Sequence, residues 1–79
     1  MRKIRLLWDF RGPDSLEIAK HHVIHLKEFA EIDNLSFIES SVIEQSKYVN
    51  SAFIIILEVD LEAFKNPLKP HRITVVVED

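Results

Sequence analysis

The chain opens with alternating apolar and polar residues. Within residues 1–10 an apolar side chain stands at positions 4, 6, 8 and 10, interrupted only by Leu7, and this period of two is typical of a strand with one buried face. The segment RGPD that follows contains the only glycine of the protein, together with a proline, so we expect the strand to end and the chain to turn there. The residues predicted on the buried side are Ile4, Leu6, Trp8 and Phe10.

A helical period replaces the alternation after this turn. Apolar residues recur at spacings of three and four over residues 14–32, which predicts one long amphipathic helix. Asp14 has the residue type of an N-cap, and Glu17 stands three positions later, as in a capping box. The stripe consists of Leu16, Ala19, Val23, Leu26 and Ala30, widened by Ile18, Phe29 and Ile32.

The second half of the chain reads as two strands, a short helix and a last strand. Residues 35–45 mix apolar and polar side chains as a strand of uncertain register, and 51–59 is apolar on both sides, as expected of a central strand. A short helix is predicted at about 60–66, closed by prolines, and alternation returns in the last strand, 71–79.

This order of elements predicts the fold class. Strand, helix, strand, strand, short helix and strand make a split βαβ arrangement of the ferredoxin-like kind, an α+β two-layer sandwich with a four-stranded antiparallel sheet. The length fits a single domain, residues 1–79. In this topology the last strand pairs with the first.

The apolar pattern also predicts a partner. Helices cover one face of such a sheet, and we expect that face to take Phe53, Ile55, Leu57, Val75 and Val77 besides the first strand's buried side chains. An exposed apolar patch would then remain on the helix-free face, which a monomer rarely tolerates, so we predict a homodimer packed sheet to sheet. The residues assigned to this face are Leu7, Ala52, Ile54, Ile56 and Val76, with Leu7, Ile54, Ile56 and Val76 at the contact.

Composition narrows the functional classes. The chain has no cysteine, so it holds neither a disulfide nor a thiolate metal site, and this fits a reducing compartment, for which we predict the cytoplasm. Its apolar run FIIIL is too short for a membrane span. A net charge of −3 argues against nucleic acid as a partner.

The segment AKHHVIHLKEF places three histidines within five positions of the predicted helix. His21 and His25 are one turn apart, and Glu17 lies one turn before His21, so these three side chains form a candidate metal-ligand row. A zinc site would need a further ligand from Asp9, Glu28 or His71, and HHVIH lacks the glutamate of the HExxH motif. The alternative is that His21 and His25 are solvated and that His22 is a boundary residue satisfied by a hydrogen bond.

A pocket between the first strand and the helix is a further candidate site. Trp8 could supply an aromatic wall, Asp9 and Arg11 follow at the end of the strand, and His22 or His25 could face them from the helix. Such a cleft would suit a small anionic or aromatic molecule. Phosphate binding at the helix start is disfavoured, because the N-cap Asp14 occupies the free amides with negative charge.

Three functional hypotheses follow. The first is a small homodimeric binding or interaction module with a ligand pocket between sheet and helix. The second is a small enzyme of the dimeric α+β barrel type, in which a helix histidine acts as acid or base. The third is a histidine and carboxylate metal-binding protein; the sequence identifies no cofactor and leaves open whether the protein is an enzyme.

Overall fold

The computed structural model describes residues 1–77 of the chain. Four strands and two helices follow one another as predicted, with a 3-10 turn before the second helix. The bounds are β1 Lys3–Arg11, α1 Ser15–Ile32, β2 Glu39–Glu44, β3 Val49–Leu57, the 3-10 turn Glu58–Asp60, α2 Leu61–Leu68 and β4 Arg72–Val76. Among the described residues, no helix combines the length and the apolar character needed to cross a bilayer.

The sheet has the strand order β2-β3-β1-β4, and every neighbouring pair is antiparallel. The predicted α+β fold class is confirmed, including the pairing of the last strand with the first. In the register, Leu6 of β1 stands between Ile54 of β3 and Ile73 of β4. The strand order is the one that a split βαβ arrangement requires.

The face assignment of β3 was wrong. Its register pairs Ile4 with Ile56 and Leu6 with Ile54, so these β3 residues share the helix-covered face with the buried side chains of β1. Ile54 and Ile56 are fully buried in the main core, together with Ala52. Of the four predicted contact residues, these two therefore cannot lie on the helix-free face.

A second, smaller cluster occupies the helix-free face. Leu7, Phe53 and Ile55 pack together there, with Ile43 and Val76 at its margin. The three central residues are only 4%, 8% and 6% exposed, although they lie on the side of the sheet away from α1 and α2. The guanidinium of Arg5 lies 5.5 Å from the centre of the Phe53 ring and forms part of this cover.

The helix layer leaves β4 uncovered. Ile73 and Val75 lie on the helix side, since they pair with Leu6 and Ile4, but they are 43% and 46% exposed. Val75 therefore lies on the predicted side of the sheet but stays outside the core, and Val77 is 83% exposed. Leu57 was predicted on the helix side as well, but it pairs with Lys3 and therefore lies on the helix-free side, where it is 37% exposed.

The second helix is longer than predicted. It extends to Leu68 and includes Pro67 in its last turn, and its Phe64 is fully buried against Phe29 of α1. The indole N–H of Trp8 donates a hydrogen bond of 2.8 Å to the carbonyl of Leu68. This contact ties the end of α2 to the middle of β1.

The turn before α1 fixes where the helix starts. Gly12 has φ +116°, a conformation that side chains rarely adopt, and its N–H donates to the carbonyl of Tyr48 at 2.8 Å. Asp14 occupies the N-cap position, but within the described residues its side chain makes no capping hydrogen bond, contrary to the prediction. The loop thus holds α1 against the β2–β3 hairpin through the backbone.

Candidate functional site

An open groove runs along one flank of α1, beside the end of β1. Its volume is about 380 Å³. Residues three, four and seven apart on a helix share a flank, and alternation in β1 turns every second side chain toward the helix. The groove is lined by Phe10, Glu17, Ile18, His21, His22 and His25.

His22 is the inner wall of the groove and lies among aromatic rings. Its ring centre is 4.9 Å from that of Trp8, at 55°, and 5.5 Å from that of Phe10, at 64°. Its Nε2 atom is buried and has no hydrogen-bond partner among the described residues, so the expected hydrogen bond is not made at this nitrogen. Burial lowers the pKa of His22, and the nearby charges of His25 and His71 lower it further. The imidazole is therefore neutral at pH 7.

His71 joins this cluster from the start of β4. Its Nδ1 accepts a 2.9 Å hydrogen bond from the backbone N–H of Asp9. Its ring centre is 6.4 Å from that of Phe10. The sequence could suggest His71 only as a remote metal ligand, because its place beside Phe10 depends on the β1–β4 pairing.

His21 and His25 lie at the exposed mouth of the groove. Their rings meet edge to face, with centres 4.5 Å apart. His25 Nδ1 lies 3.5 Å from a carboxylate oxygen of Glu28, and Glu17 lies 3.7 Å from Lys20. Within residues 1–77 no group of three or more histidines or acids is placed to hold a metal ion, so the predicted set of Glu17, His21 and His25 gains no support from the geometry.

Asp9 and Arg11 lie away from the groove. The carboxylate of Asp9 accepts hydrogen bonds from Ser51 Oγ at 2.6 Å and from two nitrogens of Arg72 at 2.8 and 2.9 Å. The Arg72 hydrogen bond lowers the pKa of Asp9, against the opposing effect of burial. Arg11 is exposed, and by alternation it shares the helix-free side with Asp9. Of the predicted pocket, the structure brings together Trp8, His22 and His25.

A second cavity, of about 490 Å³, lies where the start of α1 faces the β2–β3 hairpin. Asn50, which is buried there, donates from Nδ2 to Ser15 Oγ at 2.8 Å. The lining offers no aromatic surface: it consists of Pro13, Leu16, Glu17, Glu44, Gln45, Ser46, Lys47 and Asn50. This cavity lacks the combination of rings and imidazoles that distinguishes the groove.

No family model matches the chain, and neither a curated protein nor a solved structure matches it. We therefore infer function from the geometry of the groove alone.

Proposed function

We propose that the protein is a small binding module whose groove takes a compact, neutral, apolar or aromatic molecule. The observation that carries this proposal is the wall made by the rings of Phe10 and His22, with Trp8 packed against His22. A planar ligand would stack on these rings and cover Ile18, which is 46% exposed.

The size and charge of the groove support this ligand class. Its volume of about 380 Å³ falls in the range of pockets that hold small molecules, about 300–1,000 Å³. An anion is disfavoured because Glu17 lines the groove, while Arg11 and the Asp9–Arg72 pair belong to the other face. Of the two ligand classes expected from the sequence, the aromatic one fits better.

The test is a titration with the neutral fluorescent dye N-phenyl-1-naphthylamine. Ile18→Lys places a charge in the wall of the groove, and we expect it to weaken dye binding about tenfold, which corresponds to about 1.4 kcal/mol. Ile24→Lys is the matched control, since Ile24 is an exposed isoleucine of the same helix outside the groove. The proposal fails if the wild type does not bind the dye, or if both variants bind it equally well.

A small enzyme is the second candidate, and the state of His22 favours it. A neutral imidazole with an unpaired nitrogen is able to accept a proton from a bound molecule. An NMR titration of the imidazole, with and without the dye, distinguishes the two functions. A base requires Nε2 to become accessible when the groove is filled, whereas a purely structural wall keeps Nε2 buried in both states.

Two further expectations accompany the binding module. We propose that it works as a homodimer, in which Ile54 and Ile56 take no part in the contact because they are buried in the core. Its location in the cytoplasm remains a prediction from the cysteine-free composition.

A further inference from the structure

All four histidines of the chain gather at the groove. His21, His22 and His25 line it, and His71 approaches the Phe10 ring from the start of β4, with ring centres 6.4 Å apart. Histidine is the side-chain type that ordinarily gains its charge between about pH 8 and pH 5. The proposed ligand site therefore coincides with the residues whose charge responds to pH in that range.

Two of these histidines make contacts that only a neutral ring can keep. Nδ1 of His71 accepts the backbone N–H of Asp9 at 2.9 Å, and a protonated imidazole carries a hydrogen on both nitrogens and cannot accept. Nε2 of His22 is buried against the rings of Trp8 and Phe10, without a hydrogen-bond partner in the described part of the chain. Protonated His22 would therefore bury an N–H that has no acceptor, which is unfavourable.

The neighbours of His22 offer little compensation for a positive charge. β1 turns only aromatic rings to it, and β4 brings His71. On α1, the titratable side chains that share the groove with it are His21, His25 and Glu17, and the carboxylate of Glu17 is 3.7 Å from a lysine. Burial lowers the pKa of His22, and the charges of His25 and His71 lower it further. Two of the three nearest imidazoles thus oppose its protonation.

Asp9 does not neutralise this cluster, although it lies between two residues of the aromatic wall. Its carboxylate accepts hydrogen bonds from Ser51 and Arg72 on the helix-free side. Among the influences that shift the pKa of Asp9, the Arg72 hydrogen bond is the largest and the charge of His71 the smallest. The carboxylate is therefore committed to Arg72 rather than to His71.

We infer that the groove is a pH-gated site, which holds its neutral ligand at pH 7 and releases it near pH 5 when its histidines, above all His22, take up protons. This inference rests on the proposed function, because it describes how the same ligand is released. A ligand stacked on His22 keeps water from the ring, and a charge without water or an acid beside it is costly. Ligand and proton therefore compete, and each weakens the binding of the other by the same factor.

Titrations with N-phenyl-1-naphthylamine between pH 8 and pH 5 test the gating, with folding checked by circular dichroism at each pH. The dye itself carries no charge in this range. We expect the dissociation constant of the wild type to stay constant from pH 8 to pH 7 and to rise at least about fivefold by pH 5. Each variant is compared with its own value at pH 7, so that a change in its basal affinity does not enter the comparison.

His22→Phe and His21→Phe form a matched pair of variants. His22→Phe keeps a ring in the wall but removes the proton acceptor, and we expect its dissociation constant to rise less than about twofold by pH 5. His21→Phe makes the same change at the exposed mouth and should keep the fivefold rise of the wild type. A full rise in His22→Phe would overturn the inference. Loss of the rise in both variants would overturn it as well, because it would indicate general charging of the groove.

An NMR titration of the His22 imidazole in the wild type supplies a second readout that does not depend on the folding of any variant. Because the coupling is reciprocal, the proton affinity of His22 should fall at least about fivefold when the groove is saturated with the dye. An unchanged proton affinity in the presence of bound dye would contradict the gating.

The outcomes separate this inference from the proposed function. Dye binding that is equally tight at pH 7 and pH 5 contradicts the gating and leaves the binding module in place. No dye binding at any pH contradicts both. Unfolding of the wild type by pH 5 also contradicts the gating, since the inference requires release from the folded protein.

Discussion

The two faces of the sheet bury apolar residues by different means. On the helix-covered face, Leu6, Ile54 and Ile56 are fully buried beneath α1 and α2. On the helix-free face, Leu7, Phe53 and Ile55 stay below 9% exposure with no second layer above them. There the neighbouring strands and the Arg5 side chain supply the cover.

This difference shows why an apolar central strand does not by itself require a partner. The sheet-to-sheet dimer was expected because β3 is apolar on both sides, and an uncovered apolar face is costly. The helix-free cluster is small enough to be enclosed by its own neighbours, including the aliphatic part of Arg5. Exposed apolar side chains occur elsewhere, among them Ile73 and Val75 of β4.

The largest expected effect comes from truncating adjacent isoleucines on the two faces. Ile54→Ala leaves a cavity enclosed between helix and sheet, and we expect it to lower the free energy of unfolding by about 3–5 kcal/mol. Ile55→Ala should cost about 1–3 kcal/mol, because side chains on an open face can move into the gap. Urea unfolding followed by the emission of Trp8 measures both. Equal costs would mean that the helix-free face is enclosed as completely as the core.

A smaller effect on the free energy of unfolding is expected from the Arg5 side chain, which covers the ring of Phe53. Arg5→Ala uncovers Phe53 and should lower the free energy of unfolding by about 1–2 kcal/mol. Arg5→Met keeps an apolar chain over the ring and removes the buried Nε, which has no hydrogen-bond partner within the described part of the chain. We expect it to be within about 0.5 kcal/mol of the wild type. If Met costs as much as Ala in the same urea titrations, the charge rather than the covering chain is what matters.

A pH dependence follows from His22. Its pKa is lowered in the folded protein below the ordinary value of 6.5, so the unfolded chain takes up the proton first. The free energy of unfolding should therefore be constant above pH 6.5 with respect to this group and fall as the pH drops toward the folded pKa. His22→Leu should flatten this part of the profile, measured by thermal unfolding at a series of pH values. An unchanged profile would show that His22 titrates normally.

The smallest effect on stability is expected from replacing the two exposed histidines at the mouth of the groove. His21→Ala and His25→Ala should each change the free energy of unfolding by less than about 0.5 kcal/mol, because both side chains are exposed. The same urea titrations measure it. A loss above about 1 kcal/mol would mean that the contact between the two rings, or the contact of His25 with Glu28, holds the helix more firmly than an exposed pair normally does.

Periodicity was sufficient to predict the elements with a clear pattern. The alternation around Leu6 and Trp8 identified β1 and its buried face, and the three-four spacing identified α1 to within one residue. The faces of β3 could not be predicted, because the run FIIIL has no polar position to mark a side. Which β3 residues face the helices is determined only by the register with β1, in which Leu6 pairs with Ile54.

The groove was predictable only in part. Helical spacing brought His22 and His25 to one flank, and alternation turned Trp8 toward them. Asp9 was misplaced because its neighbours in space, Ser51 and Arg72, are more than forty residues away along the chain. The contact of His71 with Phe10 depends on the same long-range pairing.

The measurement that tests the groove most directly is an amide and side-chain NMR titration with N-phenyl-1-naphthylamine. The proposed function predicts that the shifted resonances belong to Phe10, Ile18, His22, His25 and the indole of Trp8, and that those of Leu7, Phe53 and Ile55 stay in place. Shifts centred on the helix-free face, or none at all, would contradict it.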